Sequence, residues 1–285
     1  MYARVNGVRL FFDVDGAHWH ADGARMRERP TLLLLHGGPG SDHSYFKPAF
    51  TELRDIAQLV YLDMRGNGRS EAGPRERWNL AQWGDDVRAF CDEVGLARPV
   101  VLGVSFGGIV AQSYATRHPR HPRALVLSST QARVTLPRML DAFERLGGRA
   151  ARNAAERFWT QPSNEALADY ARHCWPVYTR APRDPDVMAR QRNNPDVLLH
   201  YTEREDQRFD YSADLARIAC PTLVIGGERD PITPIGDAED LARGIPGAQL
   251  ARFEDCGHGV FQDDPAGYFA RVRRFLTEIA ATDAD

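Results

Sequence analysis

The sequence predicts an α/β fold, a mainly parallel sheet with helices on both faces, interrupted once by a helical insertion. Three observations carry that reading. Short, wholly apolar runs alternate with stretches of helical periodicity, the pattern of strands buried on both faces. One such run, Val100-Val101-Leu102-Gly103-Val104, enters Ser105-Phe106-Gly107-Gly108 and leaves as a helix through Ile109-Val110-Ala111. From about Gln131 to Ser212 the strand patterns stop, and helical stretches alternate with breakers at Gly147-Gly148, Pro162, Pro176, Pro182, Pro185 and Pro195. Residues 1–130 and 213–285 are therefore assigned to the core and 131–212 to a helical cap.

The chain of 285 residues is long enough for one large domain with an insertion. Its 43% hydrophobic and 26% charged residues are ordinary for a globular protein. A net charge of −3 and a pI near 6.3 give no electrostatic case for nucleic acid or an anionic membrane. Lys47 is the only lysine, and the arginines are scattered rather than gathered into a patch. Cys91, Cys174, Cys220 and Cys256 form no C-x-x-C pair and no metal-ligand spacing, so a reduced, cytoplasmic protein without metal or other cofactor is expected. Met1 to Gly7 has no apolar signal core, and no run approaches the length of a membrane span.

In chain order, Asn6-Gly7 between two short apolar-alternating stretches is a hairpin signal, since both residues tolerate positive φ. Ala17 to Arg29, polar and carrying His18 and His20, reads as a surface loop. Thr31 to Leu35 reads as a buried strand running into His36-Gly37-Gly38-Pro39-Gly40, whose bare backbone can bring N–H groups close to a substrate oxygen. His36 is assigned to bracing that loop. Ala57 to Leu62 is a further strand, followed by Asp63-Met64-Arg65-Gly66-Asn67-Gly68-Arg69-Ser70, whose charged residues are expected to tie a turn together. Trp78 to Val94 has helical periodicity and stops at Gly95. Ala124 to Ser129, Cys220 to Gly227 and Ala248 to Phe253 read as strands, with helices around Ala238 to Arg243 and from Asp264-Pro265 onward.

Gly103-Val104-Ser105-Phe106-Gly107 at a strand-to-helix junction is a nucleophile elbow: the sharp turn exposes a hydroxyl above the sheet edge, and the flanking glycines remove clashing side chains. A serine nucleophile needs a base and an acid that orients the base. Strand ends supply both, Asp230 after Gly227 and His258 after Phe253. The order Ser105, Asp230, His258 is the one characteristic of an α/β-hydrolase arrangement. Asp237, Asp255 and Asp263 compete for the acid, and His118, His173 and His200 are bases less favourably placed.

Leu32 to Gly40, Tyr61 to Ser70, the elbow, and the Asp230 and His258 segments together resemble the α/β-hydrolase superfamily, nearest to the proline iminopeptidases. The resemblance implies an α/β-hydrolase fold with a mainly parallel eight-stranded sheet, oxyanion donors at the backbone N–H groups of Gly38 and Phe106, and a candidate cis bond at Gly38-Pro39. It implies a serine hydrolase cleaving a small ester, lactone or amide, an N-terminal aminoacyl bond being the family possibility. Two features depart from the family pattern: Phe106 replaces the usual elbow tryptophan, and Trp175 is followed by Pro176 with no glutamate beside it. Glu203, Glu205 and Asp206 are then the candidates for holding a substrate amino group, and Trp159, Trp175 and Tyr178 for lining a pocket beneath the insertion. The partner expected is a small molecule or short peptide, with oligomeric state left open. A carboxylesterase or lactonase without aminopeptidase activity, and a non-catalytic ligand-binding receptor of the same fold, are the alternative readings.

Overall fold

A computed structural model describes residues 1–182, 184–205 and 208–281. The strands are β1 (Tyr2–Val5), β2 (Val8–Asp15), β3 (Trp19–Asp22), β4 (Arg25–Glu28), β5 (Thr31–Leu35), β6 (Gln58–Leu62), β7 (Val100–Val104), β8 (Ala124–Ser128), β9 (Thr222–Gly227) and β10 (Gln249–Phe253). Eight of them form one sheet in the order β1-β2-β6-β5-β7-β8-β9-β10. β1 and β2 are an antiparallel hairpin turned by Asn6 (φ 46°) and Gly7 (φ 85°), and β2 runs antiparallel to β6. From β6 to β10 every pairing is parallel.

The apolar runs are explained by what lies on each face. Alternate side chains of a strand point to opposite sides. Leu33 and Leu35 of β5, with Val101, Leu125, Leu127 and Val224, pack on one face against α1 (Leu80–Val94) and α2 (Phe106–Arg117). Leu32 and Leu34, with Val100, Leu102, Val126 and Leu223, pack on the other against Phe46 and Phe50 and the last helix. Because both faces are covered, no polar residue is needed in these strands. α1 starts where Asn79 accepts an N–H from Gln82 at 2.9 Å and stops at Gly95 (φ 76°).

Between β8 and β9 the chain forms α3 (Leu136–Thr160, broken at Gly148), α4 (Asn164–His173), α5 (Pro185–Arg190) and α6 (Pro195–Arg204). It leaves and returns side by side, with the Tyr211 N–H donating to Ala132 O at 2.9 Å. Phe143, Phe158 and Tyr170 centre its own apolar cluster, into which Ile232 of the core reaches. After β9 come α7 (Ile235–Gly244), then β10, α8 (Val260–Asp263) and α9 (Pro265–Ala281).

Two sequence expectations are corrected. Residues 17–29 are not a plain loop: β3 and β4 make a separate two-stranded antiparallel hairpin around Gly23 (φ 60°). Both faces of that hairpin lie largely in solvent, so it carries no apolar alternation to read. The sequence counts Tyr201 with Phe143, Phe158 and Tyr170 among aromatics expected mostly to pack the insertion, and its placement differs from theirs. It belongs to the core cluster, against Phe106 and Trp83. The remaining differences are short helical turns such as α8 and shifts of element ends by a few residues.

The turn after β6 is held as its charged sequence suggests. Arg65 forms a two-pronged ion pair with Asp86, at 2.7 and 2.9 Å, with the side chains 2% and 3% exposed. Asn6 and Gln82 each donate to the same carboxylate at 2.8 Å. Removing one partner of so buried a pair strands the other charge. Asp86→Ala is therefore expected to lower unfolding stability by about 3–5 kcal/mol, read as a shift of the urea midpoint. Asp22→Ala, which breaks the exposed Asp22–Arg27 pair, should cost under about 1 kcal/mol.

Candidate active site

Ser105 sits between β7 and α2 with φ 54° and ψ −119°. A non-glycine residue in this region carries strain of about 1–3 kcal/mol and persists only where its surroundings enforce it. Here the Ser105 N–H donates to Ser128 O at 2.9 Å, and its carbonyl accepts from Gly108 N at 2.9 Å and Thr130 Oγ1 at 2.8 Å. The glycines give clearance: a Cβ on Gly107 would lie 2.1 Å from Leu35 O, and one on Gly103 would lie 2.3 Å from Gly107 O.

His258 follows β10 on a loop stapled to the insertion. Its N–H donates to Tyr178 O at 2.6 Å, and the neighbouring Gly257 N–H donates to Asp263 Oδ2 at 2.7 Å. Asp263 Oδ1 also accepts from Arg180 N and Ala181 N, each at 2.8 Å. The imidazole lies with Nδ1 2.8 Å from Asp230 Oδ2 and Nε2 2.9 Å from Ser105 Oγ. A carboxylate only accepts, so Nδ1 carries the proton and Nε2 of the neutral ring offers its lone pair to the serine hydroxyl.

Asp230 is wholly buried, and a buried carboxylate must be hydrogen-bonded to remain charged. It receives Ile232 N at 2.8 Å and Thr233 N at 2.9 Å on Oδ1, and Thr233 Oγ1 at 2.8 Å on Oδ2 beside the histidine. The competing acids are engaged elsewhere: Asp237 with Arg138 of α3, Asp255 with Arg180 at 3.3 Å, and Asp263 with three backbone N–H groups. His118 bonds Asp85 at 2.9 Å, His173 lies 3.6 Å from Asp169, and His200 stacks edge-on to Trp78. The neighbour Cys256 is buried, and burial pushes its thiol up to about 11, so it stays neutral.

The glycine loop after β5 lies against the elbow, where a Cβ on Gly37 would stand 3.4 Å from Ser105 Cβ. Gly37 N–H donates to Tyr45 OH at 2.8 Å and Gly40 N–H to Asn67 Oδ1 at 2.6 Å. Between them, the Gly38 N–H has no acceptor among the described residues. Phe106 opens α2, so its N–H has none within the helix. Gly38-Pro39 is cis, as is Lys47-Pro48, which the sequence reading did not anticipate. His36 braces the loop: its ring meets Gly37 O at 2.7 Å and accepts from Met64 N at 3.3 Å, and burial holds its imidazole below the ordinary histidine range.

The substrate-pocket candidates divide. Tyr178 lies beside His258, ring centroids 5.5 Å apart, and its hydroxyl bonds that of Tyr170. Trp159 packs on Phe158 and Tyr170, and Trp175 is 38% exposed. Glu203 is exposed, and Glu205 lies at the start of α1, where it accepts from Leu80 N at 3.3 Å. Asp206 lies outside the described residues. Residues that sequence reasoning missed are Thr233, Thr130, Tyr45 and Asn67, which fix the site through single polar bonds and carry no periodic signal.

The profile of the α/β hydrolase fold family matches residues 30–265. A proline iminopeptidase of Levilactobacillus brevis is 31% identical over 267 residues, covering 86% of this chain and 87% of that protein. The crystal structure of the enol-lactonase from Burkholderia xenovorans LB400 superposes with a TM-score of 0.74 at 26% identity, covering 97% of this chain and 100% of that one. That of proline iminopeptidase from Mycobacterium smegmatis gives 0.79 at 22% identity, covering 100% and 99%. The chain belongs to the α/β-hydrolase fold family and, within it, resembles the proline iminopeptidases.

Proposed function

We propose that the protein is a serine hydrolase that cleaves small esters, lactones or amides through an acyl-enzyme, with residues 131–212 as the cap over its substrate. The observation that supports this most is the continuous chain Asp230–His258–Ser105, at 2.8 and 2.9 Å, with two backbone N–H groups left for an oxyanion. Ser105 Oγ attacks the substrate carbonyl carbon while His258 Nε2 takes the hydroxyl proton. The alkoxide that forms is stabilised by the Gly38 and Phe106 N–H groups, which need no reorganisation to meet it. Collapse expels the leaving group, which takes its proton from His258, and water then repeats the sequence on the acyl-enzyme. Asp230 keeps the ring oriented and stabilises the imidazolium.

A fluorophosphonate probe should label Ser105. Absence of labelling in folded protein would favour the receptor reading. Ser105→Ala and His258→Ala should each lower kcat on the order of 10⁴- to 10⁶-fold, and the double variant should be little worse, because each removes the same attacking alkoxide. Additive losses would mean that the two residues do not act together. Asp230→Asn should reduce kcat about 10⁴-fold, since it no longer holds the reactive tautomer.

The placement of Glu203 and Glu205 favours an ester or lactone over a substrate with a free α-amine. A buried ammonium without a partner costs several kcal/mol. Short p-nitrophenyl esters are expected to turn over faster than proline β-naphthylamide, and N-acetylating the latter should change kcat/KM by less than about tenfold. Preference for the free amine by more than about a hundredfold would instead establish an aminopeptidase with a carboxylate anchor outside these two residues.

A further inference from the structure

Helix α6 meets the core through contacts that the proposed chemistry does not itself use. Asn194 stands at its N-cap, where an asparagine side chain ordinarily accepts an N–H from the first turn. It makes no such bond. Its Nδ2 instead donates to Gly66 O at 2.9 Å, and its backbone N–H donates to Gly40 O at 2.7 Å. Only the NH₂ end of the amide can meet a carbonyl, so the orientation is fixed by chemistry.

Gly40 is thus held from both sides. Its N–H is fixed by Asn67 of the core turn and its carbonyl by the backbone N–H of Asn194, which the side-chain bond to Gly66 O anchors in place. The approach is close enough that a Cβ on Gly40 would lie 2.4 Å from Asn194 O, and one on Gly66 would lie 3.1 Å from Val197 of α6. Gln191 and Arg192 extend the same contact, to Ser41 at 3.2 Å and Asp42 at 3.1 Å. Two turns along, on nearly the same side of the helix, Tyr201 is 2% exposed with its ring 5.2 Å from that of Phe106, and Trp83 closes the group at 4.9 Å from Phe106.

We propose that α6 is the positioning element of the oxyanion hole, with Asn194 fixing the loop that carries Gly38 and Tyr201 backing Phe106, so that both donors converge only with α6 seated. This rests on the serine-hydrolase reading. Neither residue touches substrate in this scheme. Each acts through the placement of an N–H, and a misplacement of about 1 Å can cost on the order of a hundredfold in rate. Their effect therefore falls on the transition state, where the oxygen is charged, and spares ground-state binding.

The test uses Asn194→Ala, Asn194→Asp and Tyr201→Leu. The aspartate keeps the shape of asparagine but turns an acceptor toward the Gly66 carbonyl. Turnover of p-nitrophenyl butyrate, normalised to the serines titrated by a fluorophosphonate, is compared with inhibition by an alkyl trifluoromethyl ketone, whose serine adduct places an oxyanion in the hole. Expected is a fall in kcat of about 10- to 100-fold with KM within about threefold, and a loss of ketone affinity by a similar factor. Where one variant does not fold, the others decide. Wild-type kcat in the folded Asn194 and Tyr201 variants, or a raised KM with kcat and ketone affinity unchanged, overturns the proposal. Failure of the underlying reading shows separately, in the wild-type protein, as no labelling of Ser105 and no inhibition by the ketone.

Discussion

The conformation of one residue constrains the rest of the site: Ser105 at φ 54° can exist only where three segments approach more closely than side chains allow. Leu35 O stands where a Cβ of Gly107 would be, and the Gly107 carbonyl where that of Gly103 would be. Thr130 fills the space beside Gly108. The glycines matter less for flexibility than for absence of bulk, since they let β5, β7 and α2 meet at the sheet edge. Three ends then share one small volume: the loop after β5, the elbow after β7 and the turn after β8. Any larger residue at these positions would separate the hydroxyl from the N–H groups that flank it.

Holding a charge in that volume requires complete satisfaction of its polar groups. Asp230 has no exposed surface, yet it has three donors besides the histidine, two of them backbone N–H groups from its own turn. A carboxylate pinned in this way cannot rotate to follow the imidazole, so the imidazole must come to it. The loop carrying His258 is fixed for that purpose by Asp263, which gathers backbone N–H groups at residues 180, 181 and 257. Asp263, a rival for the acid on sequence grounds, thus serves to place His258.

Much of this was legible in the sequence because it depends on local pattern. The buried strands announce themselves as apolar runs, the β1–β2 turn as Asn-Gly, the end of α1 as Gly95, and the elbow as glycine spacing around Ser105. What was not legible depends on partners far apart in the chain. Nothing in the spacing of Asn194 indicates that its amide is withdrawn from its own helix and given to Gly66, 128 positions away. Tyr201 resembles the other aromatics of the insertion and differs from them only in what it packs against. The β3–β4 hairpin was missed for the opposite reason: with solvent on both sides, its sequence need not alternate.

The same contacts limit how far substrate choice can be separated from chemistry. Residues of the core strand ends hold Ser105, Asp230 and His258, while the segment between β8 and β9 supplies Tyr178, whose ring lies 5.5 Å from that of His258. Exchange of that segment would be simple if it only roofed a pocket. It also supplies Tyr178 O to the His258 backbone, Asn194 to the glycine loop, and Arg138 to Asp237 and Asp240 of α7. Tyr178 holds His258 through its main chain, whereas Asn194 holds Gly66 through its side-chain amide and Tyr201 fills a space beside Phe106, so the side chains at 194 and 201 are constrained. Divergence within this architecture is therefore directed away from Asn194 and Tyr201, whose side chains anchor the insertion to the loops around Ser105.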